Sequence, residues 1–101
     1  MKLQLKGKVL YDLDMVTPLR DGEGGPPLSM ARALARILTD SHNEDPAKCL
    51  EIARRLYAEE DLDLDTTDMK MVERVVRAHR RLYLGLVTGA LALEILKAMK
   101  E

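Results

Sequence analysis

The sequence predicts an α+β, mostly helical domain: an N-terminal β-strand or hairpin followed by three to four helices. Three observations carry this. Leu3, Leu5, Val9, Tyr11 and Leu13 recur every second residue, which is the period of a half-buried strand. From Ser29 onward, apolar residues recur at helical spacing behind three separate start signals. Hydrophobic residues make up 47% of the chain, yet it has no Phe and no Trp and only three Tyr. Its core therefore has to be assembled from Leu, Val, Ile, Ala and Met, as in helix-on-helix packing. The 101 residues form one domain, with 1–28 as hairpin and loop and 29–101 as the helical part.

Gly7 fills the place between Leu5 and Val9 and marks a possible bulge. The alternation stops in Asp14-Met15-Val16-Thr17-Pro18, and a second short extended piece is expected around 18–20. Residues 2–20 thus read as one strand or a two-stranded hairpin, which is marginal alone and must lie on the helices or pair with another chain. Residues 21–27, rich in Gly and Pro, are loop.

Ser29 is a good N-cap for a first helix over 30–39, where Leu34, Ile37 and Leu38 repeat at helical spacing. Asp45-Pro46 opens the second, with proline at the first helical position. That helix is expected to run to about residue 60 and to bury Cys49, Leu50, Ala53, Leu56 and Tyr57. Residues 61–65 alternate like a short extended linker, and Asp65 caps a third helix reaching about residue 83. Residues 84–99 are an apolar helix; the periodicity leaves open whether the third helix breaks near Gly85 or continues.

Composition excludes several functions. Net charge is −1, without the basic excess that generic nucleic-acid binders carry. One cysteine, Cys49, allows neither an internal disulfide nor a cysteine-rich zinc site, and its place on an apolar helix face suits an inert buried thiol. The apolar run 82–93 is too short for a bilayer, which needs about 20 residues. No signal peptide opens the chain, so a cytoplasmic protein is expected. Charge is also unevenly spread: residues 66–101 carry +3 and the other 65 carry −4. Either the two parts pair internally or complementary poles assemble copies of the chain.

Two motifs fail on their surroundings. Asp12-Leu-Asp14-Met-Val16 fits the DxDx(T/V) signature of haloacid-dehalogenase-type phosphatases, but those need a parallel α/β sheet, which the helical remainder cannot supply. Asp61, Asp63 and Asp65 imitate a calcium loop, yet Thr66 stands where glycine is required and Val72 where glutamate is. A polar turn and a linker with an N-cap account for these aspartates. No catalytic residue, metal set or cofactor is expected.

The third helix carries the candidate binding residues. Lys70, Arg74, Arg77 and Arg81 follow at spacings of 4, 3 and 4 and stack on one stripe, with no acidic residue following at i+4. With Arg80 they supply guanidinium forks suited to phosphate or carboxylate, so the stripe is either an anion site or a solvated face. His79 falls in the opposite arc of Val72, Val75, Val76, Leu82 and Tyr83, as a hydrogen-bonded core histidine or an interface residue. Gly85 and Gly89, four apart, permit close contact with the other helices or with another subunit. Glu94, in the same apolar helix, has Arg80 or Lys97 as possible partners.

Residues 8–14, 18–22, 27–34, 49–57 and 86–96 together resemble a family of small proteins from tailed phages and prophages. These segments read KVLYDLD, PLRDG, PLSMARAL, CLEIARRLY and LVTGALALEIL. The family's members are about this length, with an N-terminal hairpin and a glycine-containing apolar C-terminal helix. This chain departs from them at Met15, where glycine is common in the turn, and in its arginine-rich third helix. The resemblance brings no established activity, so no site residue is carried over. The thin core and the apolar helix at 84–99 lead us to expect a homo-oligomer, and the lack of a nucleophile–base pair a non-enzymatic one; the resemblance implies that it is phage-encoded and works in the host cytoplasm. Such a protein would sequester a phosphorylated small molecule, such as a nucleotide signal of host defence; the alternative is a protein–protein adaptor or virion assembly factor.

Overall fold

The computed structural model describes residues 1–20, 24–41, 44–83 and 85–100. Among these lie four helices: α1 (Met30–Asp40), α2 (Pro46–Tyr57), α3 (Thr66–Ala78) and α4 (Gly85–Lys100). Part of the expected 21–27 loop falls outside the described residues. The three anticipated starts are all built from side chains. Ser29 Oγ accepts from the Arg32 N–H, Asp45 from Ala47 and Lys48, and Asp65 from Asp68. The fold class is α+β and mostly helical, as the sequence implies.

α1 packs most closely on α2, and α3 packs on α4 and on α1. Leu34, Ile37, Leu56, Val72, Leu91 and Ile95 are among the side chains fully enclosed between them. α2 meets α1 with Cys49, Ile52, Ala53 and Leu56, one stripe at i, i+3, i+4 and i+7. Leu50 and Tyr57, expected inside, flank that stripe and stay 42% and 54% exposed. α2 also stops at Tyr57, short of the expected residue 60.

The first strand is shorter than the alternation suggests. β1 (Lys2–Leu3) pairs antiparallel with β2 (Leu62–Asp63), Leu3 opposite Leu62, so the extended linker after α2 serves as its partner. Gly7 then turns the chain at φ +75°, with the Lys8 N–H bonded to the Leu5 carbonyl. This turn reverses the alternation. Beyond it Leu10 faces the core, while Tyr11 and Leu13, expected on the buried face, turn outward.

Leu10 also belongs to a small closed ring of backbone bonds. The Leu10 N–H donates to the Leu28 carbonyl, Leu28 to Leu19 and Leu19 to Leu10, at 2.9, 2.7 and 2.8 Å. Three leucines nine residues apart thus bond in a cycle, and Leu10 and Leu28 are buried in the common core. Above this ring a hairpin closes at the antiparallel bridge between Tyr11 and Pro18.

α3 ends at Ala78, not near residue 83, and residues 79–83 leave the helix before α4 begins. Arg80 Nη1 donates to the carbonyls of Arg77 (2.7 Å) and His79 (2.8 Å), which satisfies helix-end acceptors. Among the described residues, no helix is long and apolar enough to cross a membrane.

Candidate functional site

The end of α3 disperses the cationic stripe. Only Lys70, Arg74 and Arg77 remain on the helix; Arg80 and Arg81 lie beyond it. Each arginine is engaged. Arg74 grips Glu44 with two bonds, Nε–Oε1 2.9 Å and Nη2–Oε2 3.3 Å. Arg77 bonds Glu73, one turn earlier, at 2.9 Å, so an acidic partner does share the stripe, preceding its arginine. Arg81 binds Asp40 through both Nε and Nη2. Lys70 is exposed. Glu44 holds its proton less tightly than an ordinary glutamate because Arg74 donates to it, and Arg74 and Arg81 are raised by the same kind of bond. The charge imbalance between the chain's two parts is thus partly neutralised internally.

A cleft of about 380 Å³ lies beside these residues, lined by Asp40, Ser41, Glu44, Arg74, His79 and Arg80. It brings two of the five candidate cations together and leaves Lys70, Arg77 and Arg81 outside its wall. Two carboxylates share that wall. At an effective dielectric near 20, unit charges 4 Å apart interact by about 4 kcal/mol. A phosphate drawn in by Arg74 is therefore repelled by Glu44 at nearly the same strength.

His79 sits in the fold as a satisfied core residue. It caps α3, is 8% exposed, and its Nε2 accepts from the Leu82 N–H at 2.9 Å. Nδ1 lies 3.9 Å from Asp40, and the ring tilts against Tyr83 with centroids 6.1 Å apart. Gly85 and Gly89 are on the exposed side of α4, and a Cβ at either would meet nothing within 4 Å. Close approach to the other helices of the chain is therefore not what these glycines provide. Glu94 pairs with Lys8 at 2.9 Å, not with Arg80 or Lys97. Cys49 is buried, and burial first, then the charges of Glu44 and Asp45, push its thiol up.

The surface that sequence reasoning missed is the hairpin tip. Leu13, Met15 and Val16 are 84%, 82% and 75% exposed, the most open large hydrophobic residues among those described. They do not hang loose. Asp14 accepts from the backbone N–H of Val16 and Thr17 (both 2.9 Å) and from the Thr17 hydroxyl (2.6 Å). Thr17's hydroxyl first, then those two amides, hold the Asp14 carboxyl below its usual value. The Met15 N–H reaches the Asp12 carbonyl at 2.9 Å, and Asp12 N–H reaches Thr17. Met15 itself takes φ +61°, a left-handed conformation costly for a side-chain-bearing residue. The signal was present in the sequence as Asp14-x-x-Thr17, a local capping pattern that fixes a turn and frees its apolar neighbours.

A second apolar surface lies between α1 and α2. Ala35, Arg36, Thr39, Leu50, Ala53, Arg54 and Tyr57 line a groove of about 330 Å³ whose surface is almost wholly apolar. The Arg32 guanidinium stacks 4.8 Å above the Tyr57 ring. Comparison with protein-family models, with curated proteins and with solved structures returns no match.

Proposed function

We propose that this protein acts by binding, not by catalysis, and that it grips a protein partner with the hairpin tip. One observation carries the reading: three large apolar side chains stand in solvent on a turn locked by Asp14, with Met15 held on unfavourable backbone. Exposed apolar residues on a rigid, strained turn are a docking element, since folding alone rewards neither the exposure nor the strain. The groups that could have carried chemistry are otherwise employed. Asp12 and Asp14 bond within the turn, and the Cys49 thiol is buried.

An adaptor or assembly role in the host cytoplasm accords with the resemblance to small phage proteins. Sequestration of a phosphorylated small molecule draws less support, because Arg74, Arg77 and Arg81 already bind carboxylates. A photo-crosslinking amino acid at position 13, in cells making the full chain, tests the proposal. Discrete protein adducts are expected, and changing Met15 and Val16 to Ser should remove them. Illumination that yields no adduct overturns the reading.

A further inference from the structure

The tip and the α1/α2 groove have complementary chemistry. The tip alternates acid and apolar side chains: Asp12, Leu13, Asp14, Met15, Val16. The groove is lined by the apolar groups of Ala35, Leu50, Ala53 and Tyr57 together with Arg36 of α1 and Arg54 of α2. Arg32 adds a third guanidinium over Tyr57. Among the described residues the Arg54 guanidinium has no bonded partner, Arg36 Nη1 donates to the Tyr83 hydroxyl at 3.4 Å, and Leu50 and Tyr57 are substantially open to solvent. The tip's own exposure shows that it does not fill the groove of its own chain.

We infer that the hairpin tip of one copy docks into the α1/α2 groove of a second copy of this chain. Leu13 and Met15 meet the groove's apolar lining. Asp12 and Asp14 face Arg54 and Arg32, which fixes the direction of entry and penalises basic rivals for the groove. Asp14 keeps its bonds to Val16 and Thr17, which hold the turn in shape, while its exposed carboxylate adds to the negative charge the tip presents. Tip and groove are different patches. The contact therefore closes as a dimer only where a twofold axis forms two joints at once, and otherwise builds a ring or a chain.

This inference rests on the tip-binding reading and names its partner. The test uses purified full-length protein in sedimentation runs over a concentration series into the millimolar range. Wild type should self-associate, and added salt should weaken it as the Asp–Arg contacts are screened. Tip variant Leu13→Ser/Met15→Ser and groove variant Leu50→Asp should each sediment as monomers while keeping their helical signal. Mixed, they should associate again, since one supplies an intact groove and the other an intact tip. A monomeric wild type, or mixed variants that stay apart, overturns the inference. Crosslinks from position 13 to a different protein, with a monomeric wild type, defeat self-docking and leave the tip-binding reading standing. The absence of any crosslink defeats both.

Discussion

At the hairpin tip, Asp12 and Asp14 bond inward to the turn and leave Leu13, Met15 and Val16 outside. At the end of α3 the arrangement is reversed: Val72 and Val76 are buried, and the arginines face outward but are met by Glu44, Glu73 and Asp40. The cationic ridge is the more conspicuous region in the sequence, yet three of its five cations are met by carboxylates of the same chain. The tip reads as an ordinary polar turn, yet its aspartates brace the turn while their charge and its apolar side chains face solvent. A residue's functional availability thus depends less on its type than on whether a partner in the same chain already satisfies it.

The comparison breaks most readily at the base of the tip. Leu10 is fully buried and joins the leucine ring, so Leu10→Ala should cost about 2–5 kcal/mol in equilibrium denaturation. Leu13→Ala, three residues on, should change stability by no more than about 0.5 kcal/mol. Equal losses would make the tip part of the core and remove the contrast.

Met15→Gly should raise stability by about 1 kcal/mol, because glycine takes φ +61° without the penalty a side chain incurs there. The same change should weaken association, since it deletes an anchor. A variant both more stable and less sticky would sharpen the view that Met15 is placed for contact. Loss of stability would show that its side chain packs on its own chain.

Acid separates the two regions further. Glu44 and Asp14 both have carboxyls held below their ordinary values, one by Arg74 and the other by Thr17. Each therefore contributes stability that is present above its unfolded-state value and lost as pH falls through its folded-state value. Glu44→Gln should flatten the acid limb of the global stability curve slightly, both partners being at the surface. Asp14→Asn should act locally, speeding hydrogen exchange at the Val16 and Thr17 amides where the wild-type carboxyl is ionised, a difference that fades as pH falls through its folded-state value. Faster exchange of α3 amides in Asp14→Asn would contradict the separation.

The smallest effect concerns the ridge. Arg77→Ala removes an exposed i, i+4 pair and should cost less than about 0.5 kcal/mol. Mono- and cyclic nucleotides at millimolar concentration should leave the melting temperature of wild type unchanged. A thermal shift that Arg74→Ala abolishes would restore the anion site and reverse the ranking of the two regions.

The chain's own residues determined the features governed by local chemistry. Ser29, Asp45-Pro46 and Asp65 cap their helices with bonds two or three residues away, so those starts were legible to the residue. The fold class came from periodicity, and the buried Cys49 from its place on an apolar stripe. Tertiary structure decided the rest, for reasons of distance. The turn at Gly7 reverses the strand's alternation, and it leaves Leu5 before it and Leu10 beyond it both in a core that the later helices complete. Leu50 and Tyr57 differ from Ile52 only by the angle at which α2 meets α1. Arg74 and Arg81 find Glu44 and Asp40 across 30 and 41 residues, pairings that no spacing along the stripe could reveal. A cap or a period is written in neighbouring residues; the satisfaction of a charge and the exposure of an apolar side chain are settled by groups that only folding brings near.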